Sequence, residues 1–233
     1  MPRTKNKLRK KKDIERGMDK RKILCIVLII VAILIAILDS PNSRQWKLAI
    51  QWRPTLCQNS TSCQQPILEK FTIHGLWNFT PCPTHGRPLP RREIERLQST
   101  LKLNIVWPDF TNISDNNIRF WQHEWSKHGH CTNMTPMAYF QKAINVYDLY
   151  PVLTYLEVQG IRPGDQLRIE EFYNAVYRER GFRPKVVCNN ENQITEFRIC
   201  FDTVGFIGHD AVNCGGSPYQ TCKSDENATL PKA

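Results

Sequence analysis

Two histidine-bearing segments hold the residue types that proton-transfer chemistry needs: FTIH, ending at His74, and FWQHEWSKHGHC, from Phe120 to Cys131. Imidazoles titrate near neutrality, so one can act as base while another acts as acid at the same pH. At about 100° per residue on a helix, and with His123 as zero, Lys127 falls near 40°, Phe120 near 60°, Glu124 near 100° and His128 near 140°. These five residues share one polar face. Trp121 and Trp125 fall at about 160° and 200°, behind that face, where they can anchor the helix in a core. A charge run is ordinarily a solvated face, but two histidines beside a glutamate and a lysine exceed what solvation requires. The His-Glu pair also invites a zinc reading. Zinc-protease helices place two histidines four apart on one side. Here His123 and His128 are five apart and splayed by about 140°, so no metal and no cofactor are expected.

The elements around these segments must bring them together. In FTIH, Phe71 and Ile73 share one face of a strand while Thr72 and His74 share the other, which sends His74 away from the core. Gly75 beside it permits close approach of a backbone or ligand. Alone, such a histidine is more often structural, and Trp77 more often core. Trp46, Leu48, Ile50 and Trp52 alternate with Lys47, Ala49 and Gln51, another half-buried strand. Ile94, Leu97 and Leu101 lie at helical spacing after the Pro-rich loop 81–90. Thr135-Pro136 is an N-cap followed by a first-turn proline, which predicts a helix through about Tyr147. A further helix is expected over Leu167 to Arg180, stopped by Gly181, with strands over 184–188 and 194–201. Strands and helices mix without regular alternation, so the expected fold class is α+β: a single domain with an antiparallel β-sheet core packed with several helices and stapled by disulfides. The expected division is a leader over 1–40, a catalytic domain over 41–223, and a polar, frayed tail over 224–233.

Residues 1–40 differ from the rest. A basic stretch ending Lys20-Arg21-Lys22 precedes 16 apolar residues, Ile23 to Leu38, the pattern of a signal peptide. No small-x-small cleavage pattern follows Leu38, so a signal-anchored membrane form stays open, and Met18 is an alternative start. The mature chain is expected to begin between residues 39 and 46 and to be secreted. The net charge of +10 is mostly leader: residues 1–22 hold 11 Lys/Arg against 3 Asp/Glu. From residue 40 on, 21 basic minus 18 acidic residues leave +3, so any phosphate affinity must come from local placement. Of nine cysteines, Cys25 lies in the leader. The other eight (Cys57, Cys63, Cys82, Cys131, Cys188, Cys200, Cys214 and Cys222) read as four disulfides rather than a zinc site, since there is no Cys-x-x-Cys pair. Asn59, Asn78, Asn112, Asn133 and Asn227 each head an N-glycosylation sequon.

Together, FTIHGLW and FWQHEWSKHG resemble the two active-site segments of the ribonuclease T2 family of secreted RNases, in the same order, and the likeness runs from roughly Gln51 to Cys222. The resemblance implies a metal-independent endoribonuclease that cleaves single-stranded RNA through 2′,3′-cyclic phosphates. It makes His74 the general acid and His128 the general base. Glu124 and Lys127 would stabilise the charged transition state, His123 would hold the phosphate, and Trp77 and Phe120 would stack bases. It also implies the pairs Cys57–Cys63, Cys82–Cys131, Cys188–Cys222 and Cys200–Cys214, and a monomer. Asn78-Phe79 stands where many relatives have Pro-Asp, so base preference is open. His130 replaces a small hydroxyl residue and, like His85 and His209, reads as structural or surface. The single Cys63 and FTIHGLW look more like the plant S-RNases of self-incompatibility, which implies a protein partner. Defence or phosphate-scavenging RNases would carry the same residues, and a non-catalytic binding or storage glycoprotein on this scaffold is the alternative of a different class.

Overall fold

A computed structural model of the chain describes residues 23–27, 46–58, 63–78, 82, 84, 86–110, 116–202, 206, 208–217 and 219–233. The chain divides into two units, Met1–Pro41 and Asn42–Ala233. In the first, residues 23–27 are helical, and the rest of the expected leader lies outside the described residues. Among the described residues no helix is long and apolar enough to cross a membrane.

In the second unit, β1 (Trp46–Trp52), β2 (Phe71–Trp77), β4 (Lys185–Cys188), β5 (Ile194–Phe201) and β6 (Tyr219–Gln220) form one sheet in the order β2-β1-β5-β4-β6. All pairs are antiparallel except β4 with β6. The period-two pattern fixes which face is dry. Leu48, Ile50 and Trp52 of β1 share a face with Phe71, Ile73 and Leu76 of β2 and with Phe197, Ile199 and Phe201 of β5, all buried. Helix α5 (Pro136–Leu149) packs on β1 and β2 and contributes Tyr139, Phe140 and Ala143 to the same core. Each such burial is worth about 1.5–3 kcal/mol for the large apolar side chains. The opposite face carries Lys47, Ala49, Gln51, Thr72, Trp77, Lys185, Val187, Glu196 and Arg198.

One irregularity decides where the chemistry can sit. Ala49 pairs with Gly75 and Ile50 with Ile73, so His74 is an extra residue, a β-bulge opposite the Ala49/Ile50 step. A bulge re-aims a side chain and resets the alternation. Ile73 and Leu76, three apart, therefore both point into the core, and His74 and Trp77, also three apart, meet on the other face. Simple alternation places His74 correctly but would set Trp77 on the core side.

Around the sheet lie α1 (Arg53–Cys57), α2 (Arg91–Thr100), α3 (Leu103–Val106) and α4 (Asn116–Glu124). Helix α4 runs directly into one π turn, Trp125–Gly129, closed by His130 N–H donating to Trp125 O at 2.9 Å. Single π turns widen a helix and recur at functional sites. The 100° phasing of FWQHEWSKHGHC consequently fails after Glu124. Trp121 and Trp125 are nonetheless buried, with the Trp121 indole N–H donating to Trp107 O.

The expected helix over Thr135 to Tyr147 is present, with Thr135 Oγ1 accepting from Ala138 N–H, and it runs two residues further, to Leu149. A shorter helix follows, α6 (Val152–Val158). The helix expected from Leu167 instead begins at Ile169 as α7 (Ile169–Arg180), ending on Gly181 at φ 73°. Leu167 and Arg168 belong to β3 (Gln166–Arg168), which pairs with β7 (Asn227–Thr229). That pairing also corrects the frayed tail. Ala228 and Leu230 are fully buried, Trp52 Nε1 donates to Pro231 O at 2.8 Å, and Asn192 Nδ2 donates to Asn227 O at 3.0 Å. The polar composition of 224–233 concealed two apolar anchors and a strand.

Four disulfides close: Cys57–Cys63, Cys82–Cys131, Cys188–Cys222 and Cys200–Cys214, the pairs that the resemblance implies. Cys82–Cys131 spans 49 residues. In the chain-entropy account, closing such a loop stabilises by about 4 kcal/mol, and it holds the end of the π turn to the segment after β2.

Candidate active site

The bulge at His74 and the α4–π helix face each other across the polar side of β2. His74 lies with its ring 6.3 Å from Phe120 and 5.2 Å from Trp77, and His128 lies 5.6 Å from Trp77. Trp77 is thus wedged between the two histidines. Its indole N–H donates to Glu124 Oε2 at 3.2 Å, and the Arg198 guanidinium sits 5.1 Å from its ring. So engaged, Trp77 is a wedge that spaces the histidines rather than an open stacking surface. Phe120 is half-buried beside a pocket lined by Gln51, Leu56, Cys63, His74, Asp109 and Phe110.

Of the five residues placed on one helix face, Phe120, Glu124 and His128 are gathered around His74 and Trp77. Lys127 is exposed, yet its charge reaches Glu124. His123 is exposed on the solvent side of the helix. Glu124 departs most from the open face expected of it, being only 2% exposed. It fits because Gly75 has no side chain: a Cβ there would lie 2.2 Å from Glu124 Oε2 and 2.3 Å from Trp77 Nε1. Burial raises the Glu124 carboxyl to about 7; the charge of His74, the Trp77 hydrogen bond and Lys127 oppose that rise, and Glu196 adds to it. Gly75→Ala should therefore displace both side chains by a large fraction of an ångström. We expect kcat/KM on RNA to fall about hundredfold with the four disulfides and the thermal transition retained. Unchanged kinetics would mean that the cradle does not matter.

Glu196 was missed in the sequence. It is 6% exposed on β5, and its Oε2 lies 2.6 Å from His74 Nδ1 while Oε1 accepts from Arg198 Nε at 2.5 Å. Arg198 is held in turn by Gln220 Oε1 at 2.8 Å. The signal was there: in ITEFRICF, Phe197, Ile199 and Phe201 alternate with Glu196 and Arg198, a charged pair on a strand that is otherwise apolar but for Thr195. Burial pulls the His74 pKa down, but the hydrogen bond and charge of Glu196, helped by Glu124, outweigh burial and the opposing Arg198, and the net shift is upward.

His130 packs against Gly86, where a Cβ would come within 2.3 Å of its ring. The sequons at Asn59 and Asn112, like His85, lie outside the described residues. Asn133 and Asn227 are exposed, whereas Asn78 is half-buried with Oδ1 shielded from solvent. Among the described residues no group of three or more His, Cys, Asp or Glu is arranged to hold a metal ion.

Residues 44–214 match the model of the ribonuclease T2 family. Among similar proteins, the "Intracellular ribonuclease LX" of Solanum lycopersicum is 29% identical over 201 residues, covering 79% of this chain and 84% of that one. The "Extracellular ribonuclease LE" of the same plant is 28% identical over 201 residues, covering 78% and 86%. The solved structure of ribonuclease MC1 from bitter gourd seeds superposes with a TM-score of 0.66 at 29% identity, covering 80% of this chain and 99% of that one.

Proposed function

The chain belongs to the ribonuclease T2 family and is an RNA-cleaving enzyme, and on that premise we propose that His74 and His128 are its acid and base. The observation that carries this reading is the bulge. It sets His74 against the wedge Trp77 that His128 also touches, and Glu196 occupies its Nδ1. That leaves Nε2 as the nitrogen that meets the substrate.

His128 removes the proton of the ribose 2′-OH, and the oxygen attacks the adjacent phosphorus. His74 gives its proton to the departing 5′-oxygen, which leaves a 2′,3′-cyclic phosphate that slower hydrolysis opens to a 3′-phosphate. Each transfer needs an imidazole in the opposite protonation state. Lys127 faces the developing negative charge, with His123 at the rim holding the phosphate. Glu124, whose pKa burial raises to about 7, is partly protonated at neutral pH, and that form donates a hydrogen bond to a phosphate oxygen. Glu124→Gln, which keeps a donor, should leave measurable activity. The pocket walled by Phe120, Phe110 and Gln51 takes a nucleobase. Incubation of the purified protein with RNA oligonucleotides, followed by analysis of the product ends, tests the reading.

Glu196 acts in this scheme through His74, as a positioning residue. The alkaline limb of kcat/KM marks loss of the acid's proton, so an upward-shifted His74 sets that limb above the ordinary imidazole value of about 6.5. Glu196→Gln removes the contributions that raise this pKa and leaves burial, which lowers it. The limb should move to lower pH, with the rate at acid pH largely kept. A pH profile displaced upward, or not at all, would refute the role.

We also propose that the catalytic domain spans residues 41–223 with the tail 224–233 folded onto it, and that the protein is a secreted monomer carrying N-glycans at the exposed Asn133 and Asn227. Secretion rests on the leader, the sequons and four disulfides; the two tomato relatives are named for opposite compartments. N-terminal sequencing of secreted protein should find a start between residues 39 and 46, and recovery of residues 23–38 in a membrane fraction would favour the anchored form. The single Cys63 and FTIHGLW favour an S-RNase-type role in self-incompatibility, with a protein partner, over defence or phosphate scavenging. Expression confined to the style would support it.

A further inference from the structure

The polar face of the sheet continues beyond the histidines. Across β1, β5 and β4, Ala49 pairs with Arg198 and Arg198 with Lys185, while Lys47 lies two residues before Ala49 on the same face, opposite Cys200 and Trp77. Three cations thus stand on three adjacent strands, beginning one strand from the His74–Trp77 pair.

The charges on this face do not balance. Glu196 is the carboxylate that β5 adds to this face, and both its oxygens are engaged, one by Arg198 and one by His74. Lys47 and Lys185 have no carboxylate within ion-pair distance among the described residues. Both are half-buried. Burial lowers the Lys47 pKa, with Arg198 adding to the effect; burial lowers that of Lys185, with Lys47 and Arg198 adding to it. Partly desolvated cations that repel one another, with no counter-charge of their own, are stabilised by an incoming anion.

We propose that Lys47 and Lys185, flanking Arg198, form a second phosphate subsite that grips a phosphodiester of the RNA next to the one being cleaved. The inference rests on the ribonuclease reading above. The domain beyond the leader carries a net charge of only +3, so its grip on a polyanion comes from where charge is placed. This cluster is such a place. It touches neither reacting oxygen, so it strengthens binding of substrate and transition state alike and acts on KM rather than kcat.

The experiment compares a dinucleoside monophosphate, which has only the scissile phosphate, with a hexanucleotide of the same cleavable step. In the Lys47→Gln/Lys185→Gln double variant, KM for the hexanucleotide should rise roughly tenfold at low salt with kcat unchanged, and the salt dependence of log KM should flatten by about 0.7 for one lost phosphate contact. Cleavage of the dinucleotide should be unaltered, and Lys47→Arg/Lys185→Arg should restore the hexanucleotide KM. Should the double variant fold poorly, Lys185→Gln alone at the β4 position should give the same split at smaller size. Equal effects on both substrates, no effect on either, or a change in kcat alone would overturn the subsite. Failure of the unmodified enzyme to cut either substrate would instead overturn the ribonuclease reading.

Discussion

Replacing His128 by alanine is expected to lower kcat on RNA by about 10²- to 10⁴-fold while leaving the fold intact. The side chain is half-buried against Trp77 on the polar side of the sheet, outside the apolar core. What is lost is the proposed base for the 2′-OH proton, and a water in its place is a poor base at neutral pH. His74→Ala should be similarly damaging, because the departing 5′-oxygen would leave unprotonated. The double variant should be little worse than either single one, as happens when two residues serve one reaction step. Single-turnover measurements on a short RNA, alongside thermal unfolding, separate chemistry from stability. Near-normal cleavage by His128→Ala would refute the assignment of the base.

The second expected result is all-or-none. A matched DNA oligonucleotide should bind weakly through its phosphates and remain uncut, because it lacks the hydroxyl that the proposed mechanism uses as its nucleophile. A single 2′-deoxy residue at the cleaved position of an RNA should protect that step alone. Products from RNA should pass through 2′,3′-cyclic phosphates before 3′-phosphates accumulate. Chelators should leave the rate unchanged, since in the proposed mechanism two imidazoles and Lys127 perform the proton transfers and charge stabilisation that a metal could otherwise supply. Mass analysis of the ends, with and without EDTA, decides the matter. Cut DNA, loss of activity on chelation, or 5′-phosphate ends would each indicate a different chemistry.

The residues that would carry this chemistry were legible because chemistry depends on residue type: a histidine, a glutamate and a lysine in FWQHEWSKHGHC can be read without knowing their coordinates. The strands from Trp46 and Ile194 were legible too, because a half-buried strand shows its alternation. Geometry that breaks periodicity was not. The π turn after Glu124 violates the fixed angular step on which a helical wheel depends, and the burial of Glu124 comes from its fit over Gly75 on another element, which a wheel does not show. Glu196 escaped notice because its meaning depends on a neighbour 122 residues away. The docked tail escaped because Ala228 and Leu230 are too few to form a pattern, and only the partner strand at Gln166–Arg168 gives them one.

The bulge at His74 has an evolutionary reading. With His74 deleted, FTIGLW alternates without a fault: Phe71, Ile73 and Leu76 face the core, and Thr72, Gly75 and Trp77 face away. The β1–β2 ladder would then pair without interruption, at the cost of the Glu196 contact to Nδ1 and of the hydrogen bond that Trp107 donates to the His74 carbonyl. Loss of that one residue would make the ladder regular while removing the proposed acid and one wall of the pocket that His74 lines, so the disulfide-bonded scaffold would outlast the nuclease site.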